Sequence, residues 1–324
     1  MATQLTTPEK KMTYVRLGNS GLKVSKIILG MMSYGSPEWQ SWVLEEEESI
    51  KHIKAAYDLG IQTFDTADVY SNGLSEIILG KAIKQHKLPR DEIVVMTKVY
   101  FTVSPGSTAT WDNVASNPNR NGLSRKDIFE SIKASLERLQ LNYVDVLQCH
   151  RFDPDTPIAE TMQALHDVVQ AGYVHYIGHV QLLRLANLHN LVYREEEREM
   201  FPTLKHFGVG IIPWSPLAAG YLTKPLDVKT TRAETDYGRN HHATAHPGNP
   251  KIVEKVQEIA KNHGATMAQI AKAWSLTKVT APVVGTTNLK NIEELAAAIH
   301  IQLSEEEIKA LEEPHGPQSI FGHK

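Results

Sequence analysis

Short apolar, β-branched runs alternate with longer amphipathic ones along most of the chain. The short runs predict strands at Lys26–Met32, Gln62–Thr66, Ile93–Val99, Val144–Cys149, Val174–Gly178, Val209–Trp214 and Ala281–Gly285. Between them, apolar residues three and four apart predict helices. These cover Glu46–Leu59, Ser75–Gln85, Arg125–Leu139, Ile158–Ala171, Glu195–His206, Lys251–Lys272 (broken near His263–Gly264), Leu289–Ala298 and Glu305–Glu312. Gly60, Gly172 and Gly208 each stand just past a helix, where a left-handed residue ends it. Repeated strand–helix units require a parallel sheet with right-handed crossovers. No GxGxxG follows a strand, which counts against a Rossmann dinucleotide fold. At this length, with this many units and no linker, an α/β (β/α)8 TIM barrel in one domain over residues 1–324 is favoured over an open doubly wound sheet.

The strand count stops at seven, and the shortfall lies in one place. Only 16 residues separate Gly178 from Glu195. A helix, a strand and their loops need about 25 or more. The fifth helix and sixth strand, about residues 179–190, are therefore expected to be shortened or missing, with Leu182–Asn187 at most a makeshift strand. Two further stretches are long and poorly patterned. Thr102–Ser124 carries Trp111, and Thr223–Pro250 carries Arg232, Asp236, Tyr237, His241, His242 and His246. In a barrel both are loops on the C-terminal face, where insertions shape pockets.

Composition adds exclusions more than assignments. With 41% hydrophobic and 22% charged residues the chain is ordinary for a globular protein, and a net charge of -3 gives no reason to expect nucleic acid or an anionic membrane as partner. One cysteine, Cys149, precludes an intrachain disulfide and fits a reducing compartment. The polar N-terminus lacks a signal-peptide core and no apolar run approaches a membrane span, so a cytoplasmic location is expected. The histidines of the second long loop lack a strand or helix frame for a metal and read as solvated.

Three of the predicted strands end in or beside ionisable groups: Asp65, Lys98 and His150, with Tyr70 five residues after Asp65. Singly, each has a structural explanation: a turn cap, a surface pair, a core tyrosine, a satisfied buried histidine. Jointly, a lysine closing an apolar strand needs a carboxylate partner, for which Asp65 is placed. A lysine beside a tyrosine is expected to lower the phenol's pKa. A histidine at the same rim can donate to a carbonyl oxygen. Such a set suits reversible carbonyl reduction, with Tyr70 protonating the developing alkoxide.

The motifs Phe64-Asp65-Thr66-Ala67-Asp68-Val69-Tyr70, Ser75-Glu76, Leu79-Gly80, Thr97-Lys98, Cys149-His150-Arg151, Tyr176-Ile177-Gly178, Tyr193-Arg194-Glu195-Glu196-Glu197-Arg198-Glu199, Pro213-Trp214-Ser215-Pro216-Leu217 and Val284-Gly285-Thr286-Thr287 make the chain resemble an aldo-keto reductase of the fungal aryl-alcohol dehydrogenase-like branch. The resemblance spans nearly the whole chain. It implies a (β/α)8 barrel that reduces aldehydes or ketones, aryl or secondary-metabolite carbonyls, with NADP(H) and without metal. It also implies roles: Tyr70 as proton donor, Lys98 as its modulator, Asp65 as the lysine's partner and a cofactor contact, His150 as the group orienting substrate. Trp214 would stack on the nicotinamide. Ser215, Leu217 and Gly220 would lie along the pyrophosphate. Gly285, Thr286 and Thr287 would hold phosphate at a helix start, and Glu294 would meet the adenine. Asn291 stands where the family often places an arginine for the 2'-phosphate, with Lys290 adjacent.

The resemblance fails where the strand count does. The family continues past Tyr-Ile-Gly with a serine-containing turn, a helix and a strand ending in Gln-Asn, whose polar groups hold the nicotinamide carboxamide. Here His179-Val180-Gln181 follows, Ala186 takes the glutamine position, and the family pattern resumes near Asn187. About twenty residues are absent, one helix with its loops. The alternative reading is accordingly a catalytically impaired or truncated barrel that binds nucleotide or serves as an interaction protein.

Overall fold

The computed structural model describes residues 12–104, 118–179, 188–228 and 237–321. An antiparallel hairpin of β1 (Tyr14–Arg16) and β2 (Lys23–Ser25) opens the chain. The repeat follows: β3 (Ile28–Gly30), α1 (Glu46–Asp58), β4 (Thr63–Asp65), α2 (Leu74–Gln85), β5 (Val94–Val99), α3 (Arg125–Leu139), β6 (Val144–Cys149), α4 (Ile158–Gln170) and β7 (Val174–His179). After it come α5 (Met200–His206), α6 (Tyr237–Thr244), α7 (Asn249–His263), α8 (Met267–Lys278), β8 (Val283–Val284), α9 (Leu289–Ala297) and α10 (Glu305–Glu312). The local signals explain many boundaries. Ser124 caps α3 by accepting from the Asp127 amide at 3.2 Å. Thr266 with Gln269 and Ser304 with Glu307 form capping boxes on α8 and α10. Gly60, Gly172 and Gly208 all take positive φ just past their helices, as expected.

Six parallel strands pair in the order β7-β6-β5-β4-β3-β8. Single parallel bridges then carry the ring from Val283 to Trp214 and from Trp214 to Leu188. Eight strand positions thus follow one another as a (β/α)8 barrel requires. The seventh, expected as a strand over Val209–Trp214, is reduced to the Trp214 bridges plus bonds from the Thr280 amide to Ile211 O and from the Val283 amide to Pro213 O. Leu188 marks the sixth. The segment Leu182–Asn187, with Ala186, lies outside the described residues, as do Trp111, Arg232 and Asp236.

Among the described residues the ring does not close between β7 and Leu188. Side chains on β7 record this. Tyr176 is level with Val146 and Ile177 with Leu147, so each pair faces the same side of the sheet. Val146 and Leu147 are 2% and 0% exposed, whereas Tyr176 and Ile177 are 36% and 40% exposed. Tyr176 on the interior face and Ile177 on the outer face are thus each left more open than their partners on β6. Among the described residues this leaves a seam in the barrel wall between β7 and Leu188; most of the unit expected to be shortened, residues 180–187, lies outside them.

The core is layered as the strands dictate. Inward-facing Ile28, Val94, Met96, Val146 and Val283 fill the barrel, plugged from the N-terminal end by Val24 of the hairpin. The larger cluster lies between the outer face of the sheet and α1–α4 and α9, with Phe64, Val95, Leu147, Ile53, Ile78, Ile132 and Leu165 among its members. Each such side chain contributes about 1.5–3 kcal/mol by leaving water. A separate cluster joins α7, α8 and α10 to Leu191, Val192 and Tyr221.

Candidate active site

Parallel strands of similar length end at one level, so polar residues at their C-terminal ends converge. Asp65 ends β4, Lys98 is the penultimate residue of β5, and His150 follows β6 directly. The chain leaving β4 stays attached to β5, since the Thr66 amide donates to Met96 O and the Asp68 amide to Lys98 O. That attachment brings Tyr70 back over the lysine.

Lys98 Nζ donates to Asp65 Oδ2 at 2.6 Å, to Thr66 O at 2.7 Å and to Tyr70 Oη at 3.3 Å. Its three donors are all used in a site that is almost dry: Asp65, Lys98 and Tyr70 are 4%, 6% and 8% exposed. Burial opposes the ammonium charge, yet Asp65, then Tyr70, together outweigh it and hold Lys98 above its ordinary pKa. For Tyr70 the expected direction is reversed. Burial pushes the phenol up by more than the Lys98 charge pulls it down, so Tyr70 stays protonated near neutral pH. The His150 ring meets Tyr70 edge-on, centroids 5.8 Å apart, and meets Phe101 the same way at 5.3 Å. Burial first, then the charges of Lys98 and Arg151, push its pKa well below the usual value, leaving a neutral imidazole with an unpartnered, buried Nδ1. All four residues singled out at the strand ends are thus brought together.

Other members of the site escaped the sequence. Gln148 donates from Nε2 to Asp65 Oδ1 at 2.7 Å and fixes the second carboxylate oxygen. Its signal was alternation: on β6 it shares the inward face with Val146, and a polar residue there needs a partner. Trp39 stands 6.3 Å from the Tyr70 ring, and Trp42 and Phe101 pack on the same small cluster, giving the mouth an aromatic wall. Cys149 is buried, its thiol pushed up to about 12, and takes no part. His241 and His242, read as solvated, lie on α6, with His242 buried and His241 stacked on Phe321.

The expected dinucleotide positions lie on the same rim. Trp214 is 37% exposed between Leu188 and Val283. The turn after it holds Ser215, Ala218 and Ala219 at positive φ, a concentration of strain of the kind found at ligand sites. Leu217 is wedged between two core clusters, and Gly220 ends the turn with φ +89. Ser215 Oγ accepts from the Ala219 amide, so that hydroxyl serves the turn itself. A Cβ on Gly285 would sit 3.0 Å from Ser33 Oγ and 3.3 Å from Gly30 O, so the chain runs close-packed there. Thr286 is buried, Thr287 is exposed, and Asn288 rather than Thr287 caps α9 by accepting from the Lys290 amide at 3.0 Å. Asn291, itself exposed, donates to Thr286 Oγ1 at 3.2 Å, and Lys290 stands beside it as an exposed cation near the helix start. Glu294 is half-buried farther along α9, its carbonyl taking Gln269 Nε2. An exposed aromatic, a strained glycine-ended turn and a crowded Gly-Thr helix start suit a stacked ring and a phosphate chain. The positions beyond Gly178 expected to hold the carboxamide, Ala186 among them, lie outside the described residues.

Among the described residues no group of three or more His, Cys, Asp or Glu could hold a metal ion, and no helix is long and apolar enough to cross a membrane.

The chain is similar to known proteins over nearly its whole length. The chain is 46% identical to versiconal hemiacetal acetate reductase of Aspergillus parasiticus, over 95% of this chain and 98% of that one. It is 45% identical to a putative aryl-alcohol dehydrogenase of Schizosaccharomyces pombe, over 95% and 97%. Aligned over 340 positions but covering 95% of a 324-residue chain, the first relative carries about 30 residues with no counterpart here, the length of one helix–strand unit. A solved thermostable aldo-keto reductase in complex with the inhibitor epalrestat superposes with a TM-score of 0.70 at 26% identity, covering 94% of this chain and all of that one. The family description "Aldo/keto reductase family" matches residues 26–314, and with a barrel of this order the chain belongs to the aldo/keto reductases, oxidoreductases that use nicotinamide cofactors.

Proposed function

We propose that the protein reduces aldehydes or ketones with NADPH, using Tyr70 as the general acid. The observation that carries this reading is the buried chain of contacts from Asp65 through Lys98 to Tyr70, closed by the neutral His150 ring. When bound, the nicotinamide supplies hydride to the carbonyl carbon. The protein's own residues manage the oxygen. Tyr70, kept protonated by burial, donates its phenolic proton as negative charge develops there. Lys98 stabilises the phenolate left behind, and Asp65, fixed by Gln148, keeps that ammonium in place. A neutral His150 donates a second hydrogen bond to the same oxygen and sets the carbonyl's orientation. Trp214 offers its exposed face to the nicotinamide, with Ser215, Leu217, Gly220, Gly285, Thr286, Thr287 and Glu294 along the rest of the dinucleotide. Preference for NADP over NAD rests on the family resemblance more than on these residues, with Asn291 bonded to Thr286 Oγ1 and Lys290 exposed beside it. Aromatic substrates, aryl aldehydes or polycyclic secondary-metabolite carbonyls, suit the wall of Trp39, Trp42 and Phe101. The names of the relatives point the same way. The test is NADPH oxidation by purified protein across aryl aldehydes, quinones and aliphatic carbonyls, alone and with Tyr70→Phe; absence of turnover on every substrate overturns the reading.

The open seam favours a second reading, a barrel that binds dinucleotide without turning over. Tyr176 and Ile177 are exposed, and among the described residues no strand pairs with the free edge of β7. NADPH fluorescence titration separates the two: quenching without turnover supports this second reading, and quenching with turnover supports the first.

A further inference from the structure

Tyr70 is followed by three consecutive residues in the left-handed region: Ser71 at φ 49, Asn72 at φ 51 and Gly73 at φ 90. Glycine adopts this conformation freely and asparagine readily, so the strain falls chiefly on Ser71. A strained turn persists only where its surroundings over-determine it. Ser71 Oγ accepts from the Ser36 amide at 3.2 Å, which holds one side. The other side is held by a side chain from a different unit. The Arg138 stem on α3 lies so close to Gly73 that a Cβ there would meet Arg138 Cδ at 2.6 Å. Arg138 Nε donates to Glu76 Oε2 at 2.6 Å, and the other oxygen of Glu76 accepts from Thr97 Oγ1 at 2.5 Å. Glu76 and Thr97 are both fully buried, and Thr97 immediately precedes Lys98. One continuous polar chain therefore runs from α3 through the first turn of α2 to the strand end that carries the lysine.

The charge balance makes Arg138 central. Asp68, two residues before Tyr70, is buried with neither carboxylate oxygen held by another side chain. Burial, then the charge of Glu76, pushes its pKa well above the usual carboxylate range, and Asp127 acts in the same direction. Arg138 is the cation opposing them. Without it, Glu76 would be a buried carboxylate facing a second acid, and the most economical relief would be to swing the Asp68–Gly73 turn toward water.

We propose that Arg138 is a positioning residue for carbonyl reduction: through Glu76 and the Gly73 turn it holds the left-handed segment that aims the Tyr70 phenol at Lys98. The inference rests on reading Tyr70 as the proton donor. It goes beyond that reading by assigning control of the donor to a residue 68 positions away on another helix.

The test compares wild type with Arg138→Met, which keeps the stem and removes the charge, and with Arg138→Lys, which keeps a charge. Thr97→Val is the milder variant, cutting only the strand end of the chain should Arg138→Met fail to fold. Two readouts are taken on protein shown by circular dichroism to be folded. In steady state, Arg138→Met is expected to lose at least tenfold in kcat with KM within about twofold, Thr97→Val several-fold, and Arg138→Lys to recover most of the loss. In an ultraviolet pH titration, the phenolate signal absent from Tyr70→Phe reports Tyr70 directly, with or without turnover. In Arg138→Met, or in Thr97→Val, that signal is expected at lower pH than in wild type as water reaches the phenol. Unchanged kcat and an unchanged titration in a folded variant overturn the proposal and leave Arg138 a structural link between helices. A wild type without turnover overturns the reading of function, while the titration still decides the position of Tyr70.

Discussion

The Lys98 ammonium and the Asp65 carboxylate, 2.6 Å apart, are each spent completely on other residues of the site. The lysine's remaining donors go to Thr66 O and Tyr70 Oη, and the second carboxylate oxygen goes to Gln148. A buried pair so enclosed cannot hand its charge to water when one member is lost. Asp65→Asn is expected to destabilise the fold by about 3–5 kcal/mol, because it strands a buried cation. The double variant Asp65→Asn/Lys98→Met should be more stable than Asp65→Asn alone, since it removes that cation. Urea unfolding of the three proteins checks both; a double variant weaker than the single one would contradict this account.

Tyr70→Phe removes the proton and leaves the ring packed against Trp39 and His150. Its kcat is expected to fall by about 10²–10⁴-fold, the usual span for a general acid. NADPH binding, followed by fluorescence, should stay within a factor of two or so. Loss of binding in parallel would assign Tyr70 to cofactor retention instead.

These groups were legible in the sequence because a parallel strand repeat puts its ends at one level, so Asp65, Lys98 and His150 could be placed without knowing their contacts. Lys98 pulls the Tyr70 pKa down as foreseen, but burial outweighs it and the net shift is upward. Proximity can be read from a motif, whereas the depth of burial that outweighs it depends on Trp39 and Phe101 arriving from other loops. The link from Arg138 to Glu76 joins residues 62 apart and leaves no local pattern. The hairpin of β1 and β2 was missed because three-residue strands are too short to show alternation. The seam was visible as a count: eight strand positions need more residues than the chain provides between Gly178 and Glu195.

Helices α2 and α3 approach each other at Gly80, where a Cβ would fall 2.4 Å from Leu139 O. Backbone cannot yield as a flexible side chain does. Gly80→Ala is therefore expected to cost about 1–3 kcal/mol by overpacking, despite alanine's better helix propensity. Because Arg138 adjoins Leu139 on α3, the same substitution should also lower kcat. Thermal unfolding and steady-state kinetics on one preparation test the pair of effects, and a stabilised Gly80→Ala would refute the close approach.

Asp127 at the start of α3 sets a pH dependence. Burial, then the charge of Asp153, raises its carboxyl from 3.8 to about 7. A raised folded-state pKa means the native protein holds a proton that the unfolded chain has released. This contribution is complete below about pH 4 and is lost as pH rises toward 7, at about 1.4 kcal/mol per pH unit. Glu196, raised to about 8 by burial and then Glu195, acts in the same direction. Glu197, lowered to about 2 because His189 and Arg194 outweigh its burial, acts oppositely, its contribution fading as pH falls below about 4.5. Asp127→Asn carries no titrating proton, so its stability relative to wild type should rise between pH 5 and pH 8. Urea melts at the two values measure that difference, and a constant offset would show that Asp127 does not hold the proton.

The seam makes the most direct prediction about the barrel. Among the described residues strand β7 pairs with β6 along one edge only, while β5 and β6 are paired on both sides. A strand with one partner opens locally at lower free energy, so β7 amides are expected to exchange hydrogen faster than those of β5 by about tenfold for every 1.4 kcal/mol of lost protection. Tyr176 and Ile177, exposed beside buried Val146 and Leu147, mark where that protection is missing. Inserting between His179 and Leu188 the helix–strand unit of an active relative should slow exchange throughout β7 and raise the unfolding midpoint. If the nicotinamide half of the site depends on the same wall, NADPH affinity rises with it. Exchange in β7 as slow as in β5 without any insertion would mean that the edge is covered in solution, and the wall would then need no added strand.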